Sequence, residues 1–273
     1  AAQGCSGPPG FRWTIETGDG SGALGIAAIC NDLGRIVFAH MGPYRIRVYG
    51  VDASTGDYRI DWLASRPDKR LSLRPEVGAN GRIDLPGAAD VYDFDATAGT
   101  VAYFAAAQGC SGPPGFRWTI ETGDGSGALG IAAICNDLGR IVFAHTGPYR
   151  IRVYGVDAST GDYRIQWLAS RPDKRLSLRP GTAANGRIDL PGAADVYDFD
   201  AAAGTVGYFA AAQGCSGPPG FRWTIETGDG SGTLGMAAIC NDLGRIVFAH
   251  TGPYRIRVYG VDASIGAYQI SWK

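Results

Sequence analysis

The chain has 273 residues, a formal net charge of −1 and 45% hydrophobic residues, with 42 glycines and three lysines, Lys69, Lys174 and Lys273. A near-neutral balance without basic clusters gives no footing for nucleic acid or an anionic membrane surface. No apolar run approaches the ~20 residues of a membrane-crossing helix.

The opening stretch AAQGCSGPPGFRWTIETGDGSG at Ala1 returns at Ala106 and again at Ala211, 105 residues apart both times. A period near 100 residues belongs to a domain that closes its own core, not to a solenoid rung. The polar, proline-containing run over 63–70 reads as the seam between copies. That register gives a partial repeat over 1–63 and complete repeats over 64–168 and 169–273.

Within 64–168 the strand signals follow closely. Leu71-Ser72-Leu73 alternates until Pro75, and Ile83 and Leu85 alternate around Asp84 until Pro86-Gly87. Val91-Tyr92-Asp93-Phe94-Asp95 sets Tyr92 and Phe94 on one face and both aspartates on the other. Residues 100–104 follow the Ala98-Gly99 turn. A loop stiffened by Pro113-Pro114 then leads into the alternation of Phe116-Arg117-Trp118-Thr119-Ile120-Glu121. Past the glycine-rich turn at 123–127 come strands over 129–135, 140–143, 149–154 and 163–167. Eight or nine short strands of period two, with no sustained helical period, predict an all-β fold: a tandem array of antiparallel β-sandwiches repeating every 105 residues.

Each repeat holds two cysteines at one fixed spacing, Cys5 with Cys30, Cys110 with Cys135 and Cys215 with Cys240. There is no CxxC and each repeat has one histidine, so an intradomain disulfide is favoured over a metal site. Such pairing places the protein in an oxidising compartment, secreted or at the cell surface.

The run Asn80-Gly81-Arg82-Ile83-Asp84-Leu85-Pro86-Gly87, with Asp90-Val91-Tyr92-Asp93-Phe94-Asp95 and Ala98-Gly99-Thr100-Val101, resembles the first half of a bacterial pre-peptidase C-terminal domain. Thr146-Gly147-Pro148-Tyr149-Arg150-Ile151-Arg152-Val153-Tyr154-Gly155 and Thr160-Gly161-Asp162-Tyr163 resemble that family's closing strands. The resemblance implies a jelly-roll-like secreted sandwich that serves as an accessory domain of exported bacterial proteins. The sequence departs from the family's usual setting because no catalytic domain accompanies it and its copies are nearly identical.

No GxSxG, HExxH or P-loop pattern occurs, and His40, His145 and His250 stand before Gly-Pro or Gly-containing turns without a nucleophile beside them. The expectation is a protein that is not an enzyme. Asp90, Asp93 and Asp95, with their counterparts Asp195, Asp198 and Asp200, are candidate oxygen ligands for calcium, and Asp124 and Asp137 lie in nearby turns. Some domains of the resembled family bind calcium. The competing reading pairs Asp93 and Asp95 with Arg150, Arg152 and Arg164 across strands. No other cofactor is implied. Lys69 and Lys174 fall in the seam, away from a core where an isopeptide crosslink forms. Trp13, Tyr44, Tyr58 and Trp62 fit core packing better than sugar stacking.

Residues 1–63 and 106–168 differ only at Met41/Thr146 and Asp61/Gln166. The last repeat departs at Ile265, Ala267, Gln269, Ser271 and Lys273, alternate positions that change one face of one strand. Terminal units of arrays differ in this way, so Lys273 is expected to close the array. Leu63, Leu168, Arg66 and Arg171 are the candidate contacts between repeats or between chains. The partial repeat leaves sheet edges and a core face open, to be completed by an upstream continuation of the array or by a neighbouring chain. The function expected is structural: a stalk, fibre or extracellular filament subunit whose partners are adjacent repeats or other copies of itself. The alternative is a multivalent adhesin that binds a surface glycan or protein.

Overall fold

The computed structural model describes residues 10–106, 110, 112–156, 158–211, 215 and 217–273. The described residues form strands and no helix. The first unit has one sheet, in the order β2-β1-β3, from β1 (Phe11–Thr17), β2 (Ala23–Ala28) and β3 (Tyr44–Gly50). The second unit supplies β4 (Lys69–Ser72), β5 (Gly78–Ile83), β6 (Ala89–Ala96), β7 (Val101–Ala106) and β8 (Phe116–Thr122). It continues with β9 (Ala128–Ala133), β10 (Gly139–Val142), β11 (Gly147–Gly155) and β12 (Gly161–Ala169). These pair into a five-stranded sheet, β4-β6-β11-β8-β9, and a four-stranded sheet, β10-β7-β12-β5. The third unit repeats both sheets from β13 (Lys174–Ser177) to β21 (Gly266–Trp272).

The period-two pattern explains the layers. In β11, Tyr149, Ile151 and Val153 point inward and are buried, while Arg150 and Arg152 lie on the outer face. Phe116, Trp118 and Ile120 of β8 and Tyr163, Ile165 and Trp167 of β12 do the same. Between the sheets the rings of Phe94 and Trp167 pack at 4.7 Å, as do Phe143 and Tyr149. The core of the second unit draws its residues from Leu71 to Trp167, and that of the third from Leu176 to Trp272.

Two expectations need correction. The strand expected around Ile83 and Leu85 is β5, which begins at Gly78 and ends at Ile83. Its Gly-Ala-Asn-Gly start has little strand preference; pairing with β12 imposes the conformation. The seam at 63–70 also contains structure. Lys69 and Arg70 open β4, which pairs parallel to β6 with Lys69 opposite Asp90, so each sandwich includes a parallel pair.

Candidate functional site

The first unit is half a sandwich. Residues 34–37 and 56–64 are near-copies of β10 and β12, yet neither forms a strand. The reason lies in the pairing. In the complete unit β10 pairs with β7, and β12 lies between β7 and β5. Among the described residues no strand lies beside these segments in the places that β5 and β7 take in the complete unit. The inward face stays open. Trp62 is 77% exposed where Trp167 is 5%, and Ile46, Phe38 and Tyr58 are exposed where Ile151, Phe143 and Tyr163 are buried. A cleft of about 1470 Å³ lies there, lined by Trp13, Phe38, Ile46 and Trp62 of the first unit and by Pro86, Arg152 and Tyr154 of the second.

A second arrangement recurs where one unit meets the next. Arg35 of the first unit donates to Asp68, and Arg152 of the second unit reaches the other oxygen of Asp68 at 3.9 Å. One period later Arg140 donates to Asp173 at 3.0 Å and Arg257 approaches it at 3.7 Å. Each aspartate therefore sits between an arginine of the preceding unit and an arginine of its own unit. Gly192 lies directly on Tyr103, so close that a Cβ there would stand 2.5 Å from the ring. The contact covers the outer face of β7. Val101 and Tyr103 are 8% and 4% exposed, whereas Val206 and Tyr208, their counterparts in the last unit, are 48% and 43% exposed. Tyr103 donates to Asp137 at 2.7 Å; burial first, then this carboxylate, pushes its pKa up.

Arg66 and Arg171, expected at this contact, act inside the unit they open. Arg66 donates to Asp84 and Asp90, both at 2.8 Å, and Arg171 to Asp189 at 2.9 Å and Asp195 at 2.8 Å. Asp90 is fully buried and also accepts from Tyr163 at 2.7 Å, whose oxygen lies 2.8 Å from that of Tyr92. Burial and these hydroxyl and carboxylate neighbours raise the Tyr163 pKa. Leu168 is half-buried and Leu63 exposed. Sequence reasoning missed Arg35, Asp68, Arg140, Asp173 and Gly192, whose only signal is their recurrence at the repeat period.

The aspartates proposed for calcium divide between faces. Asp90 and Asp195 point into the core, while Asp93, Asp95, Asp198 and Asp200 are exposed. Asp93 accepts from Arg70 at 2.7 Å with Arg150 at 3.9 Å, and Asp198 from Arg175 at 2.8 Å with Arg255 at 4.0 Å. Among the described residues no three His, Cys, Asp or Glu side chains gather in a metal-binding group. Cys110–Cys135 and Cys215–Cys240 are disulfides; Cys5 lies outside the described residues. His40, His145 and His250 are exposed, and their carbonyls accept from Tyr44, Tyr149 and Tyr254 at 2.9, 2.8 and 2.8 Å. No helix among the described residues is long and apolar enough to cross a membrane.

No family model and no curated protein matches the chain. Among solved structures it is similar to the pre-peptidase C-terminal domain of a collagenase from Bacillus anthracis, at 23% identity and a TM-score of 0.29, over 37% of this chain and 94% of that domain. It is similar to PliG of Aeromonas hydrophila, a periplasmic inhibitor of g-type lysozyme, at 14% identity and 0.29, over 37% and 98%. The CUB1-EGF-CUB2 domains of rat MASP-1 align at 11% identity and 0.24, over 76% and 99%.

Proposed function

We propose that the chain is a non-enzymatic structural protein of the bacterial cell surface, a stalk, fibre or filament subunit built by placing disulfide-bonded sandwiches end to end. The observation that carries this reading is the difference in burial between equivalent residues. Val101 and Tyr103 are covered because another unit follows, and the Arg–Asp–Arg set beside that contact is found at both seams. A repeated, geometrically fixed contact transmits orientation from one unit to the next, which a shaft needs and a flexible chain of independent binding domains does not. A disulfide in each complete unit suits life outside the cell.

The glycan-binding alternative needs an aromatic platform on each unit. The counterparts of Trp13, Tyr44, Tyr58 and Trp62 are buried in both complete units, which leaves those rings to the core. Electron microscopy of the native material tests the structural reading: a straight row of beads, one per repeat, is the expected image. Freely jointed beads, or a single merged globule, would overturn it.

A further inference from the structure

We infer that β9, like its equivalent β18 (Thr233–Ala238), pairs edge to edge with the same strand of a second copy of this chain. The contact is lateral and independent of the end-to-end seam.

A complete unit has four strands at sheet edges, and three of them are blunted. β4 and β10 are four residues long and carry Lys69-Arg70 and Arg140, and β5 carries Arg82. The fourth, β9, reads Ala-Leu-Gly-Ile-Ala-Ala, six residues with no charge and no proline. It pairs with β8 on one side and with no described strand on the other. Ile131 stands on its outer face and is 63% exposed. Met236 and Ile26, at the same place in the other units, are both 61% exposed, so the exposure belongs to the unit and not to its position in the array. The backbone is aimed the same way. Ile134 donates to the Phe116 carbonyl at 3.1 Å, so by alternation Ala132 turns its groups toward β8 while Ile131 and Ala133 turn theirs outward. The Ala133 carbonyl accepts from Asn136, which leaves Ile131 with both its N–H and its C=O on the open edge. A two-fold axis through Ile131 sets it opposite itself; the pair then exchanges two hydrogen bonds and brings two isoleucine side chains together. Such a contact is isologous and closes at a dimer. With one fully open residue per edge each contact is weak, so repetition decides the partner. Only a chain whose edges recur at the same 105-residue period engages more than one at a time, and this chain has that period. A charged peptide would find no opposite charge on β9.

Sedimentation equilibrium of the full chain tests this. The parent should pass from monomer to dimer as its concentration rises through the micromolar range. Lysine blocks pairing at a strand edge, so a chain carrying Ile26→Lys, Ile131→Lys and Met236→Lys together should remain monomeric. Its circular dichroism should match the parent's, because all three side chains are exposed. Val142→Lys, also exposed but on β10, should dimerise like the parent. A second measurement needs no lysine. Across a hydrogen-bonded pair the Cα atoms lie about 5.5 Å apart, within reach of a disulfide. Ile131→Cys should therefore link chain to chain under mild oxidation at least about tenfold faster than Val142→Cys. A parent that stays monomeric up to about 1 mM would overturn the inference. So would a dimer that survives the triple substitution, or equal linking rates at the two cysteines. Electron microscopy keeps the two readings apart: straight rows of beads that never lie in pairs remove the lateral contact and leave the shaft.

Discussion

Asp90 is fully buried, and the Arg66 guanidinium is its ion-pair partner. Removing one partner of a buried pair leaves the other uncompensated, at a cost of ~3–5 kcal/mol. Arg66→Ala should lower the unfolding free energy of the second unit by about that amount in urea denaturation. Asp84→Ala removes the other, exposed partner of Arg66, whose attraction is screened by solvent, and should cost far less. Equal losses from the two variants would show that the buried charge is not what the network protects. Asp124 illustrates the exposed case. Its carboxylate accepts from the Thr122 hydroxyl at 2.6 Å, and from the Ser126 backbone and hydroxyl at 3.0 and 2.9 Å, which together hold its pKa at about 2. A pKa depressed on folding contributes stability above the unfolded value, near 3.9, that is lost as pH falls through the folded one. Carbon-detected NMR titration should therefore find Asp124 still ionised at pH 3, and Thr122→Val should move its midpoint upward. An unchanged midpoint would mean that the two Ser126 donors alone set it.

At the level of the strand, β5 depends on a contact that no local pattern announces. The Tyr163 ring crosses β5 at Gly81 to reach Asp90, and a Cβ at Gly81 would lie 2.1 Å from the Tyr163 oxygen. Gly81→Ala should cost about 1–3 kcal/mol by forcing the ring off its partner. Gly78→Ala is the control, because a Cβ there meets nothing closer than 3.5 Å and the last unit already carries Ala183 at that place. It should stay within ~0.5 kcal/mol of the parent in the same denaturation assay. The contrast shows what was legible in advance. Strands whose buried face is written in their own residues, such as β6, β8 and β11, are readable from alternation alone. Those held by a distant partner are not: the start of β5 hides in Gly-Ala-Asn-Gly, the Lys69-Arg70 start of β4 hides in a polar seam ahead of the expected Leu71-Ser72, and residues 34–37 and 56–64 carry strand sequence without becoming strands. The open half-core follows from repeat arithmetic, whereas the Arg–Asp–Arg seam joins residues that only the folded array brings together.

Across the whole molecule the decisive question is whether neighbouring units are locked or merely tethered. Gly192 and Gly204 separate the two cases. Both adopt positive φ, +69° and +80°, so an alanine at either place pays the left-handed penalty of roughly 1–2 kcal/mol. Gly204 has nothing within 4 Å of where a Cβ would stand, while the Cβ at Gly192 would meet Tyr103 and Arg140 of the preceding unit at 2.5 and 3.1 Å. Gly204→Ala should therefore weaken the third unit and leave the seam intact. Gly192→Ala should do that and also lift the third unit off β7, so that Tyr103 becomes as reactive to nitration as Tyr208 and the maximum dimension seen by small-angle scattering broadens into a distribution. A locked seam further requires that stability pass across it, because the apolar area of Val101 and Tyr103 is buried only while both units are folded. The parent chain should then unfold its two complete units with coupled midpoints, and Gly192→Ala should pull those midpoints apart while Gly204→Ala shifts only one. If the two glycines behave alike, the units are beads on a string, and the rigidity that a shaft needs must come from somewhere other than this contact.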